Sequence, residues 1–298
     1  MSIMKNKIFL FLLFSGILQL NAQNDDLKTN IENILKTKKA RVGVAITVKN
    51  ETVIINNDFH YPMQSVFKFP IALAVLSQAD RGKFSLDQKI IITKKDLLPE
   101  TWSPIRDKYP DGTTLTLSEI IEYTVSQSDN NGCDILLRLI GGSDSAESFL
   151  KRNHFENISI KANEEEMHRD WDTQYRNWTT PAAMNDILRA AYYNADHLLS
   201  VNSHEFIWRV MTETTTGPKR LKGQLPENTI VAHKTGSSGS KDGFSPATND
   251  VGVIILPDQQ VIFISVLVAD SKETPETNEK IISDIAKLAW DYWNAINN

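Results

Sequence analysis

Cysteine is nearly absent: Cys133 stands alone among 298 residues. A single thiol excludes an intrachain disulfide, so stability has to come from core burial. Cysteine-rich zinc sites are excluded with it. The six histidines, at positions 60, 154, 168, 197, 204 and 233, make no H-x-H or H-x-x-x-H pair, and neither a metal nor another cofactor is expected. Basic runs are also missing. Lys and Arg total 32 against 37 Asp and Glu, a net charge of −5, whereas a nucleic-acid partner would need clustered cations to meet its phosphates. Low complexity is absent too: 41% hydrophobic and 23% charged residues, with 13 Gly and 11 Pro, exclude disordered and collagen-like chains. What remains is long enough to bury a sizeable core in one large domain or two lobes.

Long apolar runs are confined to the N-terminus. Lys5 and Lys7 precede the stretch Ile8–Leu20, and Leu20-Asn21-Ala22 offers a small residue for cleavage. This is the pattern of a secretory signal over residues 1–22. At about 1.5 Å rise per residue the stretch falls short of a ~30 Å hydrocarbon core, so a membrane anchor is not expected. No cysteine follows it for lipid attachment. Loss of Lys5 and Lys7 would take the net charge from −5 to −7. No later segment reaches the roughly 18 apolar residues of a membrane helix. Residues 23–298 are therefore expected as a secreted, membrane-free monomer, periplasmic where the host has an outer membrane.

Patterning along the chain predicts a mixed α/β fold. Leu27, Ile31, Ile34 and Leu35 recur at helical spacing. Arg41–Val48 and Val53–Ile55 read as a strand hairpin. From about Ser65 to Tyr193 the pattern is mostly helical, with segments Ile71–Ala79, Leu117–Val125 and Ile135–Ile140 between turns rich in Gly, Pro and Asp. Thr180-Pro181 marks a helix start, threonine as cap and proline in the first turn. Strand character returns at Thr229–Ala232, Asp250–Leu256 and Val261–Ala269, and a closing helix spans about Glu276–Asn294. Strands at both ends with helices between predict an α+β sandwich: a five-stranded antiparallel sheet flanked by the terminal helices. An all-helical lobe, about 60–212, is inserted into an α/β lobe of about 23–59 and 213–298, within one domain. A cleft between two such lobes is a natural active-site location.

Three short motifs carry the chemistry. Ser65-Val66-Phe67-Lys68 precedes an apolar run, and residues three apart on a helix share a face. A helix N-terminus favours negative charge developing on a serine oxygen, and lysine can take the hydroxyl proton when its surroundings lower its basicity. The same S-x-x-K spacing recurs at Ser2, Ser148 and Ser238, so the motif alone decides nothing. Pro70 lacks the donor expected in a second turn, and local distortion is expected there. Ser128-Asp129-Asn130 occurs once; its bland reading is a turn built on the Asp side chain. Lys234-Thr235-Gly236 also occurs once, at the end of a strand pattern, and alone could be a cationic strand end. The order S-x-x-K, S-D-N, K-T-G is what distinguishes this chain.

That trio is the signature of serine β-lactamases and penicillin-binding proteins, and the chain resembles the class A serine β-lactamases over essentially all of residues 23–298. Gly141-Gly142, Thr180-Pro181-Ala182-Ala183-Met184 and Thr216-Gly217-Pro218 extend the resemblance. It implies the serine β-lactamase/transpeptidase fold and a set of roles. Ser65 is implied as the acylated nucleophile, Lys68 as its proton partner and Ser128 as the shuttle to the lactam nitrogen. Asn130 is implied to bind the substrate's side-chain amide. Lys234 and Thr235 would recognise its carboxylate beside Gly236, and Arg220 would strengthen that recognition. The backbone N–H groups of Ser65 and Ser237 would form the oxyanion hole, and Trp102 would line the cleft mouth. The alternative readings are a surface charge for Arg220 and a packing residue for Trp102.

Glu164, in Asn163-Glu164-Glu165-Glu166-Met167-His168, aligns with the family's loop glutamate, which activates the deacylating water. Three consecutive glutamates could otherwise be a solvated face. His168 stands where most members carry an asparagine that helps hold the water. Ala162 and Asn177 replace the usual arginine–aspartate pair closing the loop. These departures resemble the extended-spectrum subgroup with a roomier loop. The expected activity is hydrolysis of penicillins and cephalosporins, giving antibiotic resistance. The alternatives are a D,D-peptidase (a penicillin-binding protein) and a non-catalytic β-lactam sensor.

Overall fold

The computed structural model describes residues 26–296; the export signal expected over 1–22 lies outside them. Five strands make one antiparallel sheet: β1 (Arg41–Val48), β2 (Glu51–Ile55), β3 (Val231–Ser237), β4 (Ser245–Ile255) and β5 (Val261–Ser271). Their order across the sheet is β2–β1–β5–β4–β3. The expected architecture is the observed one. Because β5 and β4 are central and covered on both faces, they read as nearly continuous apolar runs. One face carries Val44, Ile46, Ile254, Ile264 and Val266 against Leu27 and Ile31 of the first helix and Ile281, Ile282, Ile285 and Ala289 of the last helix, Pro275–Ile296. The other face carries Val251, Val253, Phe263 and Leu267 into the core of the helical insert.

Within that insert, helix Lys68–Asp80 is buried around nearly its whole circumference, as expected for a central helix. Helices Leu117–Ser126, Asn130–Ile140 and Val201–Thr212 pack about it. Pro181–Tyr192 starts at the expected cap, with the Thr180 hydroxyl accepting from the Ala183 N–H. Among the described residues no helix is long and apolar enough to cross a membrane.

Two strand boundaries differ from the patterning, and both differences build the site. β3 does not end before Lys234-Thr235-Gly236 but runs through them, paired to Val251, Asp250 and Asn249 of β4. β4 begins at Ser245, well before the apolar run that marks it in the sequence. Backbone pairing to a neighbouring strand makes these polar residues strand, which hydrophobic periodicity does not register.

Candidate active site

Ser65 lies on a tight 3₁₀ turn, Gln64–Phe67, that runs directly into the α-helix beginning at Lys68. In that geometry residues three apart eclipse one another, and Lys68 Nζ donates to Ser65 Oγ at 3.0 Å. Pro70 falls in the first turn of the α-helix, where the missing N–H costs little. The distortion expected at Pro70 is therefore not required; the 3₁₀ turn lies before the helix, at Gln64–Phe67. Lys68 is wholly buried, so its ammonium needs partners. Besides Ser65 it meets the Ser128 carbonyl at 2.8 Å, Asn130 Oδ1 at 2.5 Å and Glu164 Oε1 at 2.8 Å.

The S-D-N segment divides its labour residue by residue. Ser128 has φ of 62°, a left-handed conformation uncommon outside glycine, and its carbonyl meets Lys68 while its hydroxyl accepts from Lys234 Nζ at 2.9 Å. Asp129 points away from the cleft. It caps helix Asn130–Ile140 through the Gly132 N–H and also accepts from Ser103 Oγ and the Ile105 N–H, so the turn reading of this motif describes Asp129. The Asn130 amide spans Lys68 and Thr101 Oγ1. Trp102 is 60% exposed at the cleft mouth and donates its indole N–H to the Gln127 carbonyl.

β3 forms the opposite wall. Lys234 is fully buried, and burial, followed by the nearby Lys68 charge, pushes its ammonium pKa well below the usual lysine range. Thr235 Oγ1 pairs with Thr216 Oγ1 at 2.6 Å. Gly236 is pressed against the nucleophile's turn: a Cβ there would lie 2.4 Å from the Met63 carbonyl oxygen. Arg220 is buried. Its guanidinium donates to the Gly236 and Asn249 carbonyls and to Ser237 Oγ at 2.7 Å, and meets Glu279 Oε1 at 3.3 Å. Ser65, Trp102, Ser128, Asn130, Arg220 and Thr235 to Ser237 together line a cleft of about 270 Å³. Among the described residues no cluster of His, Cys, Asp and Glu could hold a metal.

This arrangement offers a hydroxyl beside a buried amine–carboxylate pair, a second hydroxyl beside a buried amine, and an Arg-backed wall. It is the equipment of acyl transfer to serine with an anionic substrate. The chain matches the Beta-lactamase enzyme family over residues 26–293. It is 64% identical to the β-lactamase VEB-1 of Pseudomonas aeruginosa, over 98% of this chain and 99% of that one. It superposes on a class A β-lactamase of Bacteroides cellulosilyticus with a TM-score of 0.88 at 40% identity, covering 92% and 99% of the two chains. The chain belongs to the class A β-lactamase family. It is also 42% identical to the extended-spectrum β-lactamase PER-1 of Pseudomonas aeruginosa, over 91% of this chain and 89% of that one.

The β-lactamase's Glu164 is the first residue of a short helix, Glu164–Arg169, capped by Asn163. Glu164 and Glu165 turn their N–H groups onto Asp134 Oδ1 and Oδ2 at 2.8 and 2.9 Å, so a residue of helix Asn130–Ile140 anchors the segment. Glu164 is buried, while Glu166 is exposed and closes its own capping box. His168 stands exposed in the last turn and does not line the cleft. Sequence reasoning passed over Asp134, Asn249 and Asp250. Asp134 had one signal, a lone acid in the apolar stretch Cys133–Leu137; Asn249 and Asp250, at the end of the polar stretch Ser245–Asp250, had none. Asn249 donates to the Pro62 and Met63 carbonyls at 2.8 and 3.1 Å, joining β4 to the backbone just before Ser65.

Proposed function

We propose that this β-lactamase opens the lactam ring of penicillins and cephalosporins, oxyimino-cephalosporins included, through an acyl-enzyme on Ser65. The observation that carries this reading is the contact of Glu164 Oε1 with Lys68 Nζ at 2.8 Å, while Lys68 Nζ reaches Ser65 Oγ at 3.0 Å. The Lys68–Glu164 pair takes the Ser65 proton as Oγ attacks the lactam carbonyl carbon. Charge developing on the carbonyl oxygen meets the backbone N–H groups of Ser65 and Ser237. Ser128 Oγ, held by Lys234, gives its proton to the lactam nitrogen as the C–N bond breaks and regains one from Lys68, which returns the Lys68–Glu164 pair to its starting protonation. Lys234, Thr235 and Arg220 hold the substrate carboxylate, Asn130 binds the side-chain amide, and Trp102 covers the mouth. Glu164 then takes a proton from water, the hydroxide adds to the ester carbonyl, and as the ester C–O bond breaks Ser65 Oγ leaves with that proton, returned through Lys68.

The cephalosporin range rests on the extended-spectrum relative. The scheme uses side chains and backbone N–H groups of this chain, and no metal or cofactor enters it. Export through a signal over residues 1–22, a single domain over 23–298 and a monomeric state complete the reading.

Glu164→Ala tests it. A positioned general base contributes about 10²–10⁴ in rate, so the variant should be acylated by a penicillin and release product slowly. Intact-mass spectrometry should find one covalent adduct on the variant, mapped to Ser65, and mostly free wild type. Unchanged turnover by Glu164→Ala would remove Glu164 from the mechanism. A wild type that itself stays acylated would favour the D,D-peptidase or sensor behaviour.

A further inference from the structure

Lys234 is unusual among the cations of the cleft. Lys68 has Glu164 in contact and Arg220 has Glu279, but among the described residues Lys234 Nζ bonds to neutral oxygens, Ser128 Oγ and the Thr235 carbonyl. A wholly buried ammonium without a nearby negative charge is costly. The charge lies behind the strand. Asp250 of β4 is paired in register with Thr235 and is fully buried. Its oxygens accept from His233 Nδ1 at 2.9 Å and from the Leu221 backbone N–H at 3.1 Å. Those two partners immediately flank the cationic wall, since His233 precedes Lys234 and Leu221 follows Arg220.

His233 is itself fully buried. A carboxylate only accepts, so Nδ1 carries the proton. Among the described residues Nε2 is buried without a partner, and Asp250 is the polar anchor of the ring. Across the strands Gly252 faces His233, and a Cβ there would lie 2.7 Å from the His233 Cβ. The missing side chain is what lets the imidazole lie in this layer. The titratable groups around Asp250 are His233 and Lys234 from β3 and Lys222 from the turn before it, and Arg220 of that turn acts on Lys234. Glu279 of the last helix reaches Arg220, while Lys68 and Glu164 act on Lys234 from the cleft side.

We propose that Asp250 is the positioning residue of the carboxylate-recognition wall: it ties the Lys234 strand to the Arg220 turn and supplies the buried negative charge that balances Lys234. This rests on the carboxylate role given to Lys234 and Arg220 above. Asp250 touches no substrate; it acts through His233 and Leu221.

The test compares Asp250→Asn with wild type on a penicillin and on its carboxylate methyl ester, across the alkaline range. KM for the penicillin should rise on the order of tenfold, the loss expected for a charge-assisted contact, with a smaller change in kcat. The alkaline limb of kcat/KM should move to lower pH by on the order of one unit, the effect of removing a nearby opposite charge. Hydrolysis of the ester should change little, and His233→Gln, which keeps an N–H donor for Asp250, should stay near wild type. A folded Asp250→Asn variant with unchanged KM and an unmoved alkaline limb overturns the proposal. Should that variant fail to fold, His233→Ala carries the test: a KM increase confined to the free carboxylate supports the proposal, and equal losses on penicillin and ester overturn it. A wild type indifferent to esterification would instead overturn the carboxylate-recognition role itself.

Discussion

Asn177 and Ala162 hold one another through two reciprocal hydrogen bonds: Asn177 Nδ2 donates to the Ala162 carbonyl, and Asn177 Oδ1 accepts from the Ala162 N–H, each at 2.9 Å. A third bond, from the Lys161 N–H, reaches the same Oδ1 at 2.7 Å. The segment between these residues carries Glu164. The two positions where an ion pair usually closes this loop therefore still meet, through a neutral amide that is fully buried. An amide clamp does not titrate, so loop closure at this point is independent of pH.

Asn177→Ala should loosen that closure. Three backbone groups lose a partner, and stability should fall on the order of 3 kcal/mol, since each orphaned buried group costs about 1–3 kcal/mol and the effects overlap. Glu164 should lose its alignment more than Ser65 does. Pre-steady-state kinetics should then find deacylation slowed more than acylation. A folded variant with unaltered deacylation would mean that Asp134 alone holds the Glu164 segment.

Asp134 makes stability depend on pH. Burial first, and the Glu164 charge second, push its carboxyl up to about 7, against the opposing Glu164 and Glu165 N–H groups. Its folded value thus lies above the unfolded one, and the native state binds the extra proton. The associated stability is full below about pH 4, the unfolded value, and is lost as pH rises towards about 7. Asp134→Asn should flatten the decline in that window. Urea denaturation of both proteins at several pH values measures it, and parallel curves would show that Asp134 does not titrate there.

Arg220→Ala should affect binding and stability together. The guanidinium holds two carbonyls, Ser237 Oγ and Glu279, so it is no surface charge. Its carboxylate contact would persist from ground state to transition state, so KM should rise more than kcat falls, by roughly 1–3 kcal/mol in kcat/KM. Arg220→Lys should not restore it, because one ammonium cannot span the same planar set of acceptors. Steady-state kinetics alongside thermal melting decides; unchanged KM with lowered stability would leave Arg220 a purely structural role.

The sheet, the helical insert and the chemistry-bearing motifs are all legible along the chain. Covalent order fixes Ser65 three residues before Lys68, and apolar runs such as Val261–Ala269 report burial directly. The remaining features depend on contacts between distant segments. Lys234-Thr235-Gly236 became strand through pairing with β4, and Asp129 became a cap while its neighbours faced the cleft. His168, two residues after the last of the three glutamates, is exposed on a helix whose first residue, Glu164, is buried. Asp250 is far from Lys234 along the chain and opposite Thr235 across the strands, so no local pattern connects them. Periodicity registers which residues leave water. The partner of a buried polar atom is chosen by strand register and helix packing, which bring distant residues to within 3 Å of one another.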